Sequence, residues 1–491
     1  MTNGLMQFIH NLPAVSATEV AGVYPYSINQ AGSLTVFMIK DDTEDKLVLV
    51  GEGGSDFQGQ PINGLDKPVR ISALNSVNAQ ALRHHFPFTA PTRVLRQDRS
   101  FGVGDRLGIA TPGHIRAFRN QDVYPVFAQQ SIRELTLTKR SFEDVLNQVT
   151  FAVFREGYKK GYGADGDHLK KVEDIEVALK LGFSMITLDC SDYIDNQVGN
   201  MTDQEVDREI QLDEDLIKRY LHRTFQIEDV TFTYDEISLK RIVLIYGKAI
   251  DFTKTVFHQF FIDSQANADF ELSIDETMTP TTPLEHYFVA SELVHQQVEI
   301  ATLAPRFCGE FQKGIDYIGD LNQFEQELKV HAAIARHFHY KLSIHSGSDK
   351  FSVFPLIGRI TRGRYHVKTA GTNWLEAMRA VALIDPALYR EIHDYALSVF
   401  QDARQYYHVT TDLTRIPDIS TLKDSELPAL FNLNEARQLI HITYGLILNA
   451  QNTDGSDRFR TKLYQLWNEF QDTYAKMLEK HIGKHLTLLK A

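Results

Sequence analysis

Cysteine is scarce in this chain of 491 residues, which contains only Cys190 and Cys308. Two cysteines exclude the dense disulfide framework of small secreted domains and fit a reducing compartment. Each cysteine lies just past an apolar, strand-like run. We therefore expect both thiols to be small buried side chains rather than reactive groups.

Long apolar runs are missing too, since no window reaches the ~20 apolar residues of a membrane-spanning helix. The stretch Met1–Ala17 contains Asn, Gln, His and Pro where a signal peptide needs an unbroken apolar segment. We expect a cytoplasmic protein with no membrane partner. An excess of positive charge is also absent, and the net charge of −13 argues against nucleic acid or an anionic membrane as the main partner.

The rest of the composition is that of a packed globular protein. Hydrophobic residues make up 43% of the chain and charged residues 23%, which excludes a largely disordered chain. The length exceeds one ordinary compact domain. We expect a large catalytic body with additions at its ends.

The order of apolar runs, turns and helical periodicity predicts three regions. Residues 1–95 form a small β-containing region, because SLTVFMIK and KLVLVGEGG flank the acidic turn DDTED as in a hairpin. Residues 96–372 alternate strands and helices, and residues 373–491 form a helical extension. The predicted strands of the middle region end near Gly104, Ala128, Ala164, Leu188, Asp275, Leu303, His345 and Thr369.

Eight strands alternating with helices over about 250 residues predict a (β/α)8 TIM-like barrel. Helices are expected over Lys171–Leu181 and Asn322–His337. The gap after the fourth strand is much longer than the others. We interpret residues 200–262 there as a helical insertion.

In such a barrel the active site lies at the carboxyl ends of the strands. Histidines and carboxylates together at these ends suit Zn, Mn, Co or Ni better than Mg or Ca. His168 and His345 follow nearly opposite strands, so both would reach a central divalent metal. We expect Glu310 as the third ligand, with Asp316, Glu276 and Asp189 as alternatives.

Other polar residues just past the apolar runs are candidates for binding substrate. Arginine and lysine among them would clamp a carboxylate, and arginine would do so with two hydrogen bonds. The candidates are Arg106, Gln129, Arg133, Lys170, Arg306, Asp349, Lys350, His366 and Lys368.

Eight ordered blocks of this sequence resemble the tagaturonate/fructuronate epimerases of bacterial hexuronate breakdown. The resemblance runs from about residue 95 to the carboxy-terminal helices. The blocks are FGVGDRLGIATPGHIRAF, QDVYPVFAQQSIREL, YGADGDHLK, IDETMTPTTP, RFCGEFQKGIDYIGD, IHSGSDKFSVFPLIGR, HVKTAGTNWLEA and ARQLIHITYGLILN.

The resemblance implies a metal-dependent enzyme that interconverts D-tagaturonate and D-fructuronate. It places a proton acceptor at Asp167 and metal ligands at His168 and His345. It also implies an acid at Asp275 or Glu276. Relatives with a relaxed pocket are similar to fructose/tagatose 4-epimerases, so the expected partner is a small ketouronate or ketohexose, with association into homo-oligomers left open.

The two ketouronates differ at the carbon β to the ketone, whose C–H bond the carbonyl does not acidify. We therefore expect retro-aldol cleavage and reclosure, with direct deprotonation of that carbon as the rival mechanism. Other functions with the same residues are a neutral ketohexose epimerase and a metal-dependent sugar aldolase or isomerase. A non-enzymatic carbohydrate-binding protein would use the 11% aromatic content to stack on sugars.

Overall fold

The structure is a computed structural model that describes residues 3–12, 20, 22–41 and 44–490. Five strands near the amino terminus are β1 (Asn29–Ala31), β2 (Leu34–Asp41), β3 (Glu44–Val50), β4 (Gln60–Ile62) and β5 (Val69–Ser72). They form an antiparallel sheet in the order β1-β2-β3-β5-β4, and β2 and β3 are the predicted hairpin. Residues 42–43 of its acidic turn, and much of the stretch up to Ala17, lie outside the described residues.

Both faces of this sheet are covered, because neighbouring side chains of a strand point to opposite sides. Met38 belongs to a cluster with the helices Ser76–His85 and Phe142–Glu156. Phe37, next to it, packs in a second cluster with the helix Asn3–Asn11. The sheet thus joins the rest of the molecule through the helix Phe142–Glu156.

Ten strands follow in the middle of the chain. They are β6 (Arg99–Val103), β7 (Tyr124–Ser131), β8 (Gly163–Leu169), β9 (Met185–Asp189), β10 (Thr224–Ile227), β11 (Val230–Thr233), β12 (Asp269–Ile274), β13 (Thr302–Pro305), β14 (Lys341–Ile344) and β15 (Tyr365–Thr369). All of them except β10 and β11 are parallel and close into an eight-stranded barrel, in which β15 pairs with β6 and β9 with β12. The predicted TIM-like barrel is confirmed.

Two barrel strands are longer than predicted. β7 ends at Ser131 rather than near Ala128, and β8 ends at Leu169 rather than near Ala164. Their last residues are polar because they face the barrel interior or its mouth, and such residues do not look like a buried strand in sequence. The other strand ends lie within two residues of the predicted positions.

Helices surround the barrel and share a large apolar core with its strands. The helices Val172–Leu181 and Leu321–His337 lie where the sequence predicted them. The other α-helices of this region, apart from Phe142–Glu156, are Thr111–Phe118, Ile132–Thr138, Asp203–Glu209, Glu214–Tyr220, Glu236–Phe257, Pro283–His295 and Phe354–Ile360, with a π-helix over His258–Asp263. The segment between β9 and β12 is helical as predicted but also contains the hairpin of β10 and β11.

The carboxy-terminal part is helical and has a core of its own that includes Trp374 and Trp467. Its α-helices are Thr372–Ile384, Pro386–Ser398, Phe400–Ala403, Asn434–Ile442, Tyr444–Leu448, Arg460–Glu469 and Gln471–Leu488. The last of these returns to the barrel, where Ile482 and Leu486 join the barrel core. Within the described part of the chain, no helix has the length and apolar content needed to cross a membrane.

Candidate active site

The carboxyl ends of the barrel strands enclose a cavity of about 360 Å³. This is the end of the barrel at which TIM-barrel enzymes build their active sites. Tyr407, from the carboxy-terminal extension, forms part of the cavity wall. The predicted site residues that line the cavity are Arg106, Gln129, Arg133, Asp167, His168, Lys170, Asp275, Glu276, His345 and Lys368.

Two histidines and one carboxylate converge in this cavity. His168 lies in β8, His345 directly follows β14, and Asp275 directly follows β12. Each offers one nitrogen or oxygen atom, and these three atoms lie within 4.8 Å of one another. The imidazole centroids of the two histidines are 4.7 Å apart, and the structure thus brings the predicted pair together. The carboxylate beside them belongs to Asp275, for which we expected the role of an acid.

Glu310, the carboxylate expected beside the histidines, does not join them. Its loop folds back on itself, since the backbone N–H of Glu310 donates to the carbonyl of Ile318 at 2.8 Å and receives a bond in return at 3.1 Å. The half-exposed carboxylate of Glu310 accepts a hydrogen bond from Gln312 and lies 4.0 Å from His408 Nε2. Glu310 is therefore not beside the two histidines, where we expected it, and the carboxylate of Asp275 lies there instead.

A buried carboxylate holds the ring of His345 from below. Glu271 Oε1 lies 2.9 Å from His345 Nε2, and Glu271 Oε2 accepts a 2.6 Å bond from Thr302. On the other side of the ring, Nδ1 is buried without a hydrogen-bond partner among the described residues, 3.2 Å from Asp275 Oδ2. Burial alone would lower the pKa of His345, but the carboxylates of Asp275 and Glu271 outweigh it and raise that pKa to about 10.

Lys368 connects this arrangement to β8. Its Nζ lies 2.7 Å from Asp165 Oδ2, 2.5 Å from Asp167 Oδ1 and 3.1 Å from Glu271 Oε1. Burial opposes the charge, but the three carboxylates raise the pKa of Lys368 well above its usual value. Asp165 responds in the opposite way, since its burial raises the pKa to about 7 against the attraction of Lys368. The single positive charge of Lys368 is thus shared by three carboxylates.

His168 sits at an irregular point of β8. The pairing of β8 with β9 shifts register between Gly166 and Leu169, and His168 has a φ of 54°. Such a left-handed residue in a bulged strand redirects its side chain, and bulges of this kind are frequent beside active sites. The Nδ1 atom of His168 bonds to Asp167 Oδ1 at 2.9 Å, which leaves Nε2 for another partner.

Four predicted binding residues lie outside the cavity. Arg306 donates to the carbonyl of Thr277 and lines an adjoining groove that also contains Glu310. His366 contacts Ser100 Oγ at 3.0 Å inside the barrel. The other two, Asp349 and Lys350, lie in the loop after β14.

Asp349 and Lys350 make structural contacts rather than facing the cavity. Asp349 pairs with Arg437 and with His481 of the last helix. The Nζ atom of Lys350 donates to backbone carbonyls, including that of Gln312 at 2.8 Å. Asp349 therefore attaches the carboxy-terminal helices to the barrel, and Lys350 connects two loops of the barrel.

Several residues around the cavity had not been assigned a site role from the sequence. Lys313 and Ser346 line it, and Tyr407 comes from a region predicted only as helical. Glu271 was missed because it lies inside the apolar run of β12. A charged residue within such a run was the available signal, since a buried carboxylate needs partners.

The closed barrel and its polar cavity define a TIM-barrel enzyme. Its histidine and carboxylate groups face a space of the size that a small molecule fills. The chain belongs to the tagaturonate epimerase family (UxaE), whose family model matches residues 24–489. The resemblance noted in the sequence is confirmed, and the protein is an epimerase.

Relatives cover nearly the whole chain. It is 42% identical over 477 residues to a tagaturonate/fructuronate epimerase of Thermotoga maritima, which covers 95% of this chain and 97% of the relative. A glycerol-complexed crystal structure of the fructuronate-tagaturonate epimerase of Cohnella laeviribosi is similar with a TM-score of 0.93, 49% identity and 99% coverage of both chains. The native structure of that enzyme also gives a TM-score of 0.93 at 49% identity, over 98% of each chain.

Proposed function

We propose that this protein interconverts D-tagaturonate and D-fructuronate by inverting the carbon β to the ketone, with a divalent metal held by His168, Asp275 and His345. The substrates are those in the names of its relatives. The evidence for a metal site is the convergence of these three side chains in the cavity.

The three residues fit a metal of the Zn, Mn, Co or Ni type. The Nδ1 atom of His345 is buried without a hydrogen-bond partner among the described residues, while Glu271 bonds the opposite nitrogen. Metal-binding histidines are commonly oriented by such a carboxylate. Three protein ligands also leave a position open for substrate. When bound, the ion would supply Lewis-acid stabilisation of negative charge on the substrate oxygens.

The reaction follows from the position of the carbon that is inverted. A base takes the proton of the β hydroxyl, the bond between the α and β carbons breaks, and its electron pair moves into the ketone to give an enediolate. The β carbon becomes an aldehyde, which turns and is attacked on its other face. The new alkoxide then takes a proton, so no C–H bond of the β carbon is broken.

We assign the two proton transfers to Asp167 and Glu276. Both line the cavity, and the described contacts of the Asp167 carboxylate fall on Oδ1, where Lys368 and His168 bond. Oδ2 is therefore available to accept the hydroxyl proton. Glu276 is half-exposed, 3.8 Å from Lys170 Nζ, whereas Asp275 is engaged beside His345. Glu276 is accordingly our choice for the group that returns the proton.

The test is an epimerisation assay of the purified protein on D-fructuronate and D-fructose, with chelator-treated and metal-restored samples side by side. We expect tagaturonate from fructuronate, loss of at least ~100-fold in rate after chelation, and recovery with one of the four metals. The restored enzyme is also run in heavy water. We expect no deuterium at the inverted carbon.

Several outcomes would contradict parts of this proposal. Full activity after chelation would refute the metal requirement. Deuterium at the inverted carbon would favour direct deprotonation. Turnover of fructose without turnover of fructuronate would make the protein a neutral ketohexose epimerase. Accumulation of the two cleavage fragments would make it an aldolase.

A further inference from the structure

The positive charges of the cavity are not equally satisfied by the protein. Lys368 contacts three carboxylates, Lys170 lies 2.9 Å from Asp192 Oδ1, and Arg106 lies 2.9 Å from Glu134 Oε1. By contrast, no carboxylate of the described residues lies within ion-pair distance of Lys313 or Arg133. Lys313 and Arg133 thus line the cavity without a counter-charge, as does the exposed Lys171.

Lys313 is half-buried, and its side chain has one hydrogen bond among the described residues, from Nζ to Ser346 Oγ at 3.0 Å. Ser346 directly follows His345 in the chain, so the ammonium group of Lys313 contacts the neighbour of a proposed metal ligand. Burial lowers the pKa of Lys313, and the positive charge of nearby Arg133 lowers it further. An anion bound between Lys313 and Arg133 would offset both the burial of the ammonium group and the repulsion between the two positive charges.

Arg133 is held in place by the carboxy-terminal extension. Its guanidinium lies 4.8 Å from the ring centroid of Tyr407, and Nη1 donates to the carbonyl of Tyr406 at 3.3 Å. These contacts orient the guanidinium without neutralising it. An oriented arginine has the planar fork of donors that matches a carboxylate.

We infer that Lys313 and Arg133 form the subsite that binds the carboxylate of the hexuronate. This inference rests on the proposed epimerase function and deepens it. Cleavage between the α and β carbons leaves the carboxylate on the aldehyde fragment, so a subsite for the carboxylate would tether that fragment. Lys313 and Arg133 hold that fragment while its carbonyl turns about the bond to the neighbouring carbon and recloses on the other face.

The experiment compares Lys313→Met, Lys313→Arg and Arg133→Met in the full-length, metal-loaded protein. With D-fructuronate we expect kcat/KM to fall about 10- to 100-fold in the two methionine variants, because each loses a charged hydrogen bond to the carboxylate. Lys313→Arg should recover most of the loss. Activity on D-fructose should change less than about 3-fold, because that sugar has no carboxylate.

Lys329→Met is the control for the loss of one positive charge, since Lys329 is exposed and paired with Glu325 far from the cavity chemistry. Thermal unfolding of each variant separates loss of fold from loss of binding. Undiminished activity of Lys313→Met on fructuronate would overturn the inference. So would an inactive Lys313→Arg, or equal losses on fructose. A wild-type protein inactive on fructuronate would instead refute the proposed function.

Discussion

At the scale of single residues, the site depends on which carboxylate stands beside the two histidines. Asp275 lies 3.2 Å from His345 Nδ1, and Glu271 bonds the opposite nitrogen. Glu310 lies in a loop that turns away. In the proposed metal site, Asp275 would be a ligand, Glu271 would orient the ligand His345, and Glu310 would not contact the ion.

These relations predict a ranking of metal affinity in three isosteric variants. Asp275→Asn should show the largest loss of metal affinity, because an amide replaces a charged ligand. Glu271→Gln should weaken binding about 10- to 100-fold, the usual effect of removing a carboxylate that orients a histidine ligand. Glu310→Gln should bind as the wild type does. Dissociation constants from titration of the metal-free proteins give the ranking, and equal affinity of Glu310→Gln and Asp275→Asn would contradict it.

The sequence predicted the two histidines but not the carboxylate beside them. A histidine at a strand end is positioned by the strand, so its place around the barrel follows from counting strands. Glu310 lies several residues into a loop, whose path depends on backbone bonds to Ile318 that spacing cannot reveal. Glu271 was hidden for the opposite reason, since it lies within a strand that reads as continuous core.

At the scale of elements, β8 combines a regular strand with a distorted end. Its polar residues made the strand look shorter in sequence than it is, and its bulge was not predicted, although Gly166 lies at one edge of it. His168 instead of glycine occupies the left-handed conformation there. We interpret this as backbone strain that is tolerated because it directs the imidazole of His168 into the cavity.

The strain predicts an unusual order of stability at position 168. An alanine pays the cost of a positive φ, whereas a glycine does not, so His168→Ala should be less stable than His168→Gly by about 1 kcal/mol. Urea unfolding of the metal-free proteins measures this difference. Ser343, in β14, is outside the residues with positive φ and serves as the control. There glycine should be the less stable of the two, and the same order at both positions would contradict the argument.

The inserted segment between β9 and β12 shows a further limit at the element scale. Its long helix Glu236–Phe257 is apparent from periodicity, but the hairpin of β10 and β11 is too short to stand out. The hairpin is stabilised by packing with residues distant in sequence, such as Phe232 against Tyr287 at 5.2 Å between ring centroids. Tertiary contacts therefore decided its structure.

At the scale of the whole molecule, several buried histidines lie outside the cavity, in the barrel region and in the carboxy-terminal extension. His114, His331, His393 and His485 lie on four different helices around the barrel and in the carboxy-terminal extension. Burial lowers the pKa of each to about 4. An unfolded histidine titrates near ~6.5, so each side chain takes up a proton when the protein unfolds at mildly acidic pH.

The sign of the resulting pH dependence follows directly. Between about pH 6.5 and 4 the unfolded chain binds more protons than the folded one, so stability falls as the pH is lowered through this range. Each histidine contributes up to ~1.4 kcal/mol per pH unit. The raised pKa values of His168, His345, His481 and Asp165 oppose this trend. The lowered pKa values of three further buried histidines, His286, His366 and His441, add to it. We expect a clearly lower free energy of unfolding at pH 5 than at pH 7.

Urea unfolding at pH 5, 6 and 7 checks this expectation, with His393→Gln as the diagnostic variant. His393 lies in the carboxy-terminal helices, away from the cavity, so its replacement should reduce the pH slope by up to about one proton without changing catalysis. Stability that stays constant or rises between pH 7 and pH 5 would contradict the expectation, because the groups with raised pKa would then outweigh the buried histidines. Carboxylates with a lowered pKa, such as Asp349, lose their stabilising effect only at still lower pH and leave this range unaffected.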